Sequence, residues 1–352
     1  MTSKPPKFAD ALELFARAAA GDAHKLAGLA ARAHDEGLKD DAYRLARQAR
    51  ALAPADPEVV SRTADAIAGG VPRFHFGMIA DHERNRLYQE AIERAVRPGM
   101  RVLDIGAGSG LLAMMAARAG AGEVVTVEGN LAVADAAREI VALNGMSDRV
   151  RVVHGLSTDL DVEADLGGRF DLIVSEIISD NLIGEGALAS LADAARRMLN
   201  PGGAMIPRRG WVRVALADWE TARQLAMGEV CGFDLTPFNR LAGSRGRVKA
   251  HDSLLAMRGD ALDLFDFDLT AEQHATGGQA SLETVATSPA NGVVQWIRID
   301  LDGTSAIENA PGPETRSHWS CLWYPARRDI AAGERVTVRA AHDGLRIRTW
   351  VE

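Results

Sequence analysis

The sequence predicts an α/β fold with three regions: α-helical residues 1–70, a parallel doubly wound sheet at 71–205, and an antiparallel β-barrel-like region at 206–352. Three observations predict it. Apolar residues recur at helical spacing in the first region, and strand-like and helix-like segments alternate in the second. Short strands separated by Gly, Pro and Asp turns fill the third.

The first region contains four segments with the periodicity of amphipathic helices. They are FADALELFARAA, AHKLAGLAARAHDEGL, DAYRLARQARAL and DPEVVSRTADAIA. Successive pairs are offset by roughly 33 residues, close to the period of tetratricopeptide repeats (TPR), so the region is predicted to be TPR-like. Two interpretations stay open: a surface that binds a partner, and a helical cap on the rest of the chain.

The second region follows the linker GGVPRF at 69–74. Strand segments RVLDIG, EVVTVE, RVRVVHG and DLIVSE alternate with helical segments GLLAMMAARAG, LAVADAAREIVALNG and ALASLADAARRML, of which the last ends at NPGG. Because such alternation builds βαβ units, it predicts parallel strands. After residue 206 come WVRVALAD, VQWIRIDLDG, SHWSCLWYP, RVTVRAAHDG and LRIRTWV, whose alternating or aromatic content predicts antiparallel strands.

The composition of the chain argues against several classes of protein. Lys and Arg total 40 against 48 Asp and Glu, and the net charge of −8 gives no support for binding a nucleic-acid backbone. No run of about 18 apolar residues occurs, so we expect no membrane span, and MTSKPPKFADAL lacks the apolar core of a secretory signal. Cys231 and Cys321 are the two cysteines and lie far apart in the sequence, which predicts free thiols and therefore a reducing, cytoplasmic location. Two cysteines are also too few for a thiolate metal site.

A glycine-rich turn links the first strand of the second region to its helix. VLDIGAGSGLL places Asp104 before Gly106, Gly108 and Gly110, and glycines at such a turn let the backbone approach a ligand closely. An acid before the glycines suits a positively charged amino acid moiety. Glu128, at the end of the next strand, suits a ribose diol.

The pattern DxGxGxG followed by this acid resembles the class I S-adenosylmethionine-dependent methyltransferases. The resemblance implies a Rossmann-like domain that binds S-adenosyl-L-methionine and releases S-adenosyl-L-homocysteine. NAD is the nearest alternative, although its fingerprint would require a glycine where Leu111 stands. A turn that binds no ligand is the third interpretation.

Three further motifs resemble the protein arginine methyltransferases, in family order, from about Phe74 to the C-terminus. SEIISDNLIGE matches the double-glutamate loop of that family, with Glu176 and Glu185 at its two acids. FHFGMIADHERNRLYQEAI matches the helices before the sheet, and SHWSCLWYP matches the Thr-His-Trp loop, with Ser317 in place of the threonine.

The resemblance assigns a role to each matched position. It implies that Glu176 and Glu185 clamp the substrate guanidinium, that His318 with Asp81 takes up or relays a proton, and that Trp319 contacts the substrate. The implied cofactor residues are His75, Met78, Arg84, Asp104, Gly106, Gly108, Gly110, Glu128 and Thr158, of which the last lies where the family contacts adenine.

Paired carboxylates suit an arginine acceptor for a physical reason. A guanidinium has a pKa above about 12, so it stays charged and its nitrogens are poor nucleophiles. Two carboxylates that converge on this planar group can accept several N–H bonds, align one nitrogen with the methyl donor and draw positive charge away from it. Alignment and electrostatic stabilisation of this kind can lower a barrier by several kcal/mol.

Within the family, ADAAREIVALNGMSDRVRVV, HGLSTDL and LIGEGALAS look most like the monomethylating, type III branch. Its best-known members carry two methyltransferase copies in tandem, whereas this chain carries one. A homodimer is therefore expected, with its contact at GFDLTPFNRL (232–241), where the family's dimerisation arm emerges. Met78 and Ala187 are expected to set the volume of the methyl pocket, which leaves mono- and dimethylation both open.

The sequence thus predicts an arginine methyltransferase whose acceptor belongs to a protein or peptide. Two alternatives remain: a class I methyltransferase of a small-molecule amine or guanidine, and a non-catalytic scaffold in which the helical region binds partners. We expect no metal, nucleic acid or membrane to take part.

Overall fold

The helical region is present as predicted. The computed structural model describes residues 8–352. The expectation that MTSKPPKFADAL is not a secretory signal concerns in part residues 1–7, which lie outside the described residues. The four helices are α1 (Phe8–Ala18), α2 (Ala23–Asp35), α3 (Lys39–Leu52) and α4 (Pro57–Ala68). α2 and α4 begin 34 residues apart (57 − 23), but a relationship to tetratricopeptide repeats stays a prediction. No helix among residues 8–352 combines the length and the apolar character that crossing a bilayer requires.

Local signals start these helices, and small side chains pack them. The carboxylates of Asp22 and Asp56 accept hydrogen bonds from backbone N–H groups in the first turns of α2 and α4, and Pro57 occupies the first position of α4. The fully buried alanines of this region are Ala27, Ala30, Ala33, Ala42, Ala46 and Ala49. Because these side chains are small, the helices approach closely and form a hydrophobic core of their own.

Two helices, α5 (Phe74–Ile79) and α6 (His82–Ala95), lead into the parallel sheet. Its strands are β1 (Arg101–Ile105), β2 (Glu123–Glu128), β3 (Val150–His154), β4 (Phe170–Ser175) and β5 (Leu199–Ile206), and its helices are α7 (Leu111–Arg118), α8 (Leu131–Leu143) and α9 (Ala187–Arg197). The strand order is β3-β2-β1-β4-β5 and every pair is parallel, which confirms the predicted sheet. The central strands are buried along almost their whole length, as expected when helices cover both faces.

One boundary differs from the sequence prediction. The sequence predicts that a helix ends at NPGG, whereas α9 ends at Arg197 and NPGG lies inside β5. β5 is an edge strand, where a proline without an N–H is tolerated, and the pairing register shifts opposite it between Phe170 and Leu172. A Cβ at Gly203 would lie 3.0 Å from the carbonyl oxygen of Asp171, so a glycine permits this close pairing.

The carboxyl ends of β1, β2 and β4 meet at one edge of the sheet. β1 lies between β2 and β4, so the strand order reverses at this point. In open parallel sheets a crevice forms at such a reversal, and ligands bind there. The glycine turn after β1, Glu128 at the end of β2 and Glu176 directly after β4 all come to this edge.

The remaining chain forms antiparallel sheets, which confirms the predicted β region; its barrel-like closure stays a prediction. The larger sheet contains β6 (Arg209–Trp219), β9 (Gly246–Val248), β10 (Leu255–Met257), β11 (Leu262–Asp268), β13 (Ala290–Asp300), β14 (Ala306–Glu308) and β15 (Cys321–Ile330). The smaller contains β12 (Gly278–Val285), β16 (Arg335–His342) and β17 (Ile347–Val351). The sequence prediction omits β9 to β12 and β14. Residues 317–320 precede β15 as a loop. Apolar side chains of both sheet systems join in one hydrophobic core.

Residues 220–245, which we call the arm, are exposed along almost their whole length. They form α10 (Glu220–Gln224), the hairpin of β7 (Glu229–Val230) and β8 (Phe233–Asp234), and a short 3-10 helix at Thr236–Leu241. The arm exposes the large apolar side chains Leu225, Val230, Phe233, Leu235, Phe238 and Leu241. Clustered apolar exposure is typical of contact surfaces, and the arm includes the predicted dimerisation segment.

The helical region contacts the parallel sheet through α8 and its flanks. Arg47 Nη1 donates to Asp135 Oδ2 at 2.6 Å, and Asn130 Nδ2 donates to the carbonyl oxygen of Gly70 at 2.6 Å. Because Asn130 follows Glu128 by two residues, the helical region touches the chain next to the candidate cofactor crevice.

Candidate active site

The glycine turn after β1 requires its glycines for conformational and steric reasons. Gly106, Gly108 and Gly110 have φ angles of 87°, 53° and 77°, in the left-handed region that other residues avoid. A Cβ at Gly106 would lie 2.7 Å from Ile177 Cγ2. The N–H of Gly106 donates to the carbonyl oxygen of Val127, which holds the turn against the end of β2.

Asp104 lies in β1, directly before the turn, with 1% of its surface exposed. Its Oδ2 accepts a hydrogen bond from the Thr126 hydroxyl at 2.7 Å, whereas Oδ1 is buried without a partner among the described residues. Burial raises the pKa of Asp104 to about 7, although Thr126 and Arg84 favour the charged form. A ligand cation at Oδ1 would satisfy both the hydrogen bonding and the charge of this carboxyl group.

Glu128 closes the other side of the turn. Its Oε2 accepts a hydrogen bond from the N–H of Gly108 at 3.0 Å, and its Oε1 accepts one from the N–H of Asn130 at 2.9 Å. The side chain of Asn130 in turn caps α8. Since each carboxylate oxygen has a second lone pair, Glu128 is held in one orientation and keeps acceptor capacity for a ligand.

α5 brings His75 and Met78 to the glycine turn. A Cβ at Gly108 would lie 3.7 Å from Met78 Cε and 4.0 Å from His75 Nδ1. His75 stacks on Phe74 with ring centroids 4.6 Å apart, and its Nδ1 is buried without a partner among residues 8–352. Burial lowers the pKa of His75, with the charge of Glu128 opposing the change, which favours the neutral ring.

An ion pair between Arg84 and Glu176 connects α6 to the loop after β4. Arg84 Nη2 lies 2.6 Å from Glu176 Oε2, and the two side chains are 4% and 2% exposed. Arg84 Nη1 donates to Asn85, while its Nε is buried and has no partner in the described chain. Burial raises the pKa of Glu176, and the charges of Arg84 and His318 oppose this rise. The pair leaves one buried donor of Arg84 available to an anion.

Three buried polar atoms without partners therefore lie around the glycine turn: Asp104 Oδ1, His75 Nδ1 and Arg84 Nε. Buried polar atoms are nearly always satisfied in folded proteins, so their convergence indicates a ligand. An ammonium suits Asp104 and a carboxylate suits Arg84, and S-adenosyl-L-methionine carries both groups. The residues present thus fit the predicted cofactor. Within residues 8–352, no group of three or more His, Cys, Asp or Glu side chains is placed to hold a metal ion.

The loop after β4 is anchored to the β region. The carbonyl oxygen of Ile178 accepts a hydrogen bond from Trp319 Nε1 at 2.8 Å, and Asp180 Oδ1 accepts one from the N–H of Ser320 at 2.9 Å. Asp180 Oδ2 also lies 2.9 Å from Arg247 Nε. These contacts hold the two-glutamate loop against the segment that carries the predicted histidine.

Inside this loop, Asn181 organises the turn before the second glutamate. Its Oδ1 accepts hydrogen bonds from the N–H of Gly184 and from the Ser179 hydroxyl, both at 2.7 Å. A Cβ at Gly184 would lie 2.2 Å from Ser179 Oγ, so any larger residue would displace the Ser179 side chain from this turn. Leu182 and Glu185 are two of three non-glycine residues with positive φ in the described chain, and strain of this kind is concentrated at functional sites.

Glu185 differs from Glu176 in its surroundings. It is exposed, has φ 61° and ψ 15°, and accepts no hydrogen bond from the described part of the chain. Although the residue is exposed, the surrounding loop shields its carboxyl group partly from water, and this desolvation together with the charge of Asp180 raises the pKa of Glu185. The charge of Glu185 in turn contributes to the raised pKa of Glu176, so the two carboxylates lie within electrostatic reach of each other. The loop thus presents one buried, paired carboxylate and one that is free.

His318 and Asp81 form a second pair beside this loop. His318 Nδ1 lies 2.9 Å from Asp81 Oδ2, which also accepts the backbone N–H of His318 at 3.0 Å. Asp81 Oδ1 accepts the N–H of Arg84 and caps α6. Burial acts to raise the pKa of Asp81, but the hydrogen bonds from His318 and from the N–H of Arg84 outweigh it and lower the pKa. With Nδ1 occupied, Nε2 is the ring nitrogen of His318 that remains for a substrate.

Two predicted residues have contacts that the sequence does not indicate. Trp319 is 3% exposed and donates to Ile178, so it positions the two-glutamate loop; its contact with the substrate stays a prediction. Thr158 is exposed and its hydroxyl donates to Asp159 at 3.1 Å. The adenine contact of Thr158 likewise stays a prediction.

The sequence did not predict three contacts of the site. They are the Arg84–Glu176 pair, the hydrogen bond from the N–H of Ser320 to Asp180, and the hydrogen bond from the Tyr88 hydroxyl to the carbonyl oxygen of Ser175 at 3.0 Å. One signal was present in the sequence. Tyr88 follows Arg84 by four residues, which places both on the same face of a helix. The partners lie so far away in the chain that local spacing does not reveal them.

Several known proteins are similar to this chain. Residues 72–208 match the family model of ribosomal protein L11 methyltransferase (PrmA). An arginine N(omega)-methyltransferase of Streptomyces achromogenes subsp. streptozoticus is 38% identical over 329 residues, which cover 90% of this chain and 90% of that protein. Protein arginine N-methyltransferase 7 of Oryza sativa subsp. japonica is 31% identical over 318 residues, covering 76% of this chain and 43% of that protein. The chain thus spans less than half the length of this second relative.

Solved structures show the same fold. The Trypanosoma brucei PRMT1 enzyme-prozyme heterotetrameric complex with AdoHcy has a TM-score of 0.67 at 22% identity, covering 79% of this chain and 98% of that chain. Arabidopsis thaliana protein arginine methyltransferase 10 has a TM-score of 0.64 at 18% identity, covering 81% of this chain and 99% of that chain. At these identities the likeness concerns the arrangement of the sheets and helices.

Proposed function

The chain belongs to the arginine N-methyltransferases, and from this premise we propose that it transfers a methyl group to a guanidino nitrogen of arginine in a protein or peptide. The placement of two carboxylates, Glu176 and Glu185, on one loop between the glycine turn and the His318–Asp81 pair carries the proposal. When bound, S-adenosyl-L-methionine supplies the methyl group as part of a sulfonium.

The cofactor would be held by the residues with unused polar atoms. Asp104 Oδ1 suits its ammonium and Arg84 Nε suits its carboxylate. Glu128 offers acceptor capacity to the ribose diol, and the glycine turn permits close approach of the backbone. His75 and Met78, which lie over Gly108, would cover the site.

The acceptor guanidinium would lie between the two glutamates. Glu176 has one oxygen fixed by Arg84 and can accept N–H groups at the other, whereas Glu185 is free at both. Their charges would hold the planar group and draw positive charge from the attacking nitrogen. Met78 and the buried Ala187 would limit the space for methyl groups, so the number transferred depends on packing as much as on chemistry.

His318 would take up the proton that the acceptor nitrogen releases. Asp81 fixes Nδ1, so Nε2 is the basic nitrogen, and the ionised Asp81 stabilises the imidazolium that forms. This assigns Asp81 as a positioning residue that also caps α6.

Intact-mass spectrometry tests the proposed activity. The full chain, incubated with S-adenosyl-L-methionine and arginine-rich peptides, is expected to add methyl groups to those peptides and none to the same peptides with lysine at each arginine. Binding of S-adenosyl-L-homocysteine without methylation of any guanidine would contradict the proposal, as would equal methylation of the lysine peptides.

Free arginine is a second candidate acceptor, favoured by one observation. The relative that matches along 90% of both chains is named an arginine N(omega)-methyltransferase, whereas the rice relative is named a protein arginine N-methyltransferase. Comparing kcat/KM for L-arginine with kcat/KM for an internal-arginine peptide distinguishes the two acceptors. A higher value for the peptide would reject the second candidate.

Cofactor affinity is expected to fall as the pH falls from 8 to 6. The pKa of Asp104 is about 7 without a ligand, and only the ionised carboxylate attracts the cofactor ammonium. The protonated share rises below pH 7, so Kd is expected to be about tenfold larger at pH 6 than at pH 8. Calorimetry with S-adenosyl-L-homocysteine measures this. Asp104→Asn should bind more weakly with little pH dependence, and an equally flat profile for the wild type would contradict the assignment.

The homodimer and the cytoplasmic location are part of the same proposal. The exposed apolar side chains of the arm support a contact between chains, which light scattering of the purified protein decides. Cys231 and Cys321 are both free thiols, which suits a reducing compartment, and cell fractionation decides that point.

A further inference from the structure

A cavity of about 650 Å³ opens beside the His318–Asp81 pair. Its walls come from the turn between α5 and α6, from residues 249–251 and from residues 316–318. The cavity shares His318 and Asp81 with the reaction site but is not lined by the acids of the glycine turn. It is therefore distinct from the cofactor crevice and adjoins the place where an acceptor would react.

The cavity carries two positively charged side chains that pair with no acid of the described chain. Lys249 and Arg316 are exposed in it, and neither forms an ion pair with any residue of the range 8–352. Among the described residues, the guanidinium of Arg316 donates only to backbone carbonyl oxygens. The acids of the cavity are already paired, Asp81 with His318 and Glu83 with Arg86.

One side-chain contact and one backbone hydrogen bond fix the two cation-bearing segments relative to each other. His251 Nδ1 lies 3.2 Å from the carbonyl oxygen of Thr315, and the N–H of Gly312 donates to the carbonyl oxygen of Ala250 at 2.9 Å. Lys249 and Arg316 each lie next to one of these contacts in the chain. Their approach to one cavity is thus a feature of the fold rather than of two unconnected surface loops.

Two uncompensated cations conflict with an acceptor that is itself a cation. Like charges repel across an exposed cavity, and the repulsion would weaken binding of a bare guanidinium. The conflict disappears if the same substrate carries a negative group a short distance from its guanidinium, since that group would be attracted to the cavity.

Building on the proposed arginine methylation, we propose that Lys249 and Arg316 bind a carboxylate of the acceptor and thereby select the substrate. Arg316 offers a planar fork of donors that matches a carboxylate, and Lys249 adds a point charge. The carboxylate has two possible sources: the α-carboxylate of free or C-terminal arginine, or an acidic side chain beside an internal arginine.

Acceptors that differ only in the carboxylate test the proposal. L-arginine is compared with agmatine, which has the same guanidinium and no carboxylate. An internal-arginine peptide with flanking glutamates is compared with the same peptide carrying glutamines. The full chain is assayed as wild type, as the double variant Lys249→Gln, Arg316→Gln, as Arg316→Lys, and as Arg327→Gln, an exposed arginine outside this cavity.

The wild type is expected to prefer one carboxylate-bearing acceptor over the matched acceptor without that carboxylate by about tenfold in kcat/KM. The double variant should lose this preference mainly through KM, Arg316→Lys should keep part of it, and Arg327→Gln should keep all of it. The acceptor pair that shows the preference identifies the source of the carboxylate.

A wild type that methylates these acceptors without preferring a carboxylate would overturn the subsite. So would a preference that survives in the double variant. Either result leaves the proposed activity in place, whereas methylation of no acceptor at all would reject that activity first.

Discussion

Replacing Glu185 by glutamine is expected to lower kcat by about 10²–10³-fold, the usual loss when one preorganised electrostatic contact to a transition state is removed. Glu185 is exposed and accepts no hydrogen bond from the described chain, so glutamine fits its place without structural cost. Affinity for S-adenosyl-L-homocysteine should stay near that of the wild type. Initial rates of methyl transfer and calorimetry measure the two quantities.

Glu176→Gln should lower turnover to a similar extent but also destabilise the fold. Glu176 is buried against Arg84 at 2.6 Å, and removing its charge leaves the guanidinium buried without a counter-ion. Such losses cost about 3–5 kcal/mol, so the melting temperature should fall for this variant and not for Glu185→Gln.

Glu272→Gln serves as the control for both substitutions, because Glu272 is exposed and forms no hydrogen bond within residues 8–352. Its turnover and melting temperature should match those of the wild type. The assignment of the two glutamates as a substrate clamp would be wrong if both variants, Glu176→Gln and Glu185→Gln, lost affinity for the cofactor but kept the wild-type kcat at saturating cofactor.

Asp81→Asn is expected to lower kcat by about 10²–10⁴-fold, the range that a positioned acid or base contributes. Asparagine caps helices as well as aspartate does, so α6 should remain intact. It lacks the charge that stabilises an imidazolium at His318, whose Nδ1 lies 2.9 Å from Asp81. The loss should appear in kcat more than in KM, because Asp81 acts through His318 on the proton transfer.

Asp22→Asn provides a matched control, since Asp22 caps α2 through the N–H of Lys25 as Asp81 caps α6 through the N–H of Arg84. The control should retain full turnover. The double variant Asp81→Asn, His318→Gln should be no slower than His318→Gln alone, because the two residues act as one unit. Additive losses would reject the coupling between them.

The sequence predicted most elements of the fold because the signals for them are local. Apolar spacing located the four N-terminal helices, and the alternation of strand and helix located β1 to β4. β5 was not predicted, because NPGG was taken as the end of a helix, whereas in the structure these residues lie in an edge strand that tolerates proline. Pairing with β4 decides that these residues form a strand rather than a turn.

The site shows the same division between local and distant information. Motifs selected Glu176, Glu185 and His318 as candidates. They did not indicate that Glu176 is buried against Arg84, whereas Glu185 accepts no hydrogen bond from the described chain. They also did not indicate that Asp180 and Trp319 join the two-glutamate loop to the β region. These contacts join residues about 90 to 140 positions apart, as in the hydrogen bonds of Arg84 and Trp319.

By itself the sequence determined the order of the four N-terminal helices and of β1 to β4, the glycine turn and the chemical types that surround it. Periodicity, turn residues and motif spacing are properties of neighbouring residues. The tertiary structure alone decided which polar atoms are buried without partners, which carboxylate is paired, and that Lys249 and Arg316 share a cavity with His318. The physical reason is that burial and ion pairing arise only when distant elements pack together, and this packing sets both the charge and the availability of each group.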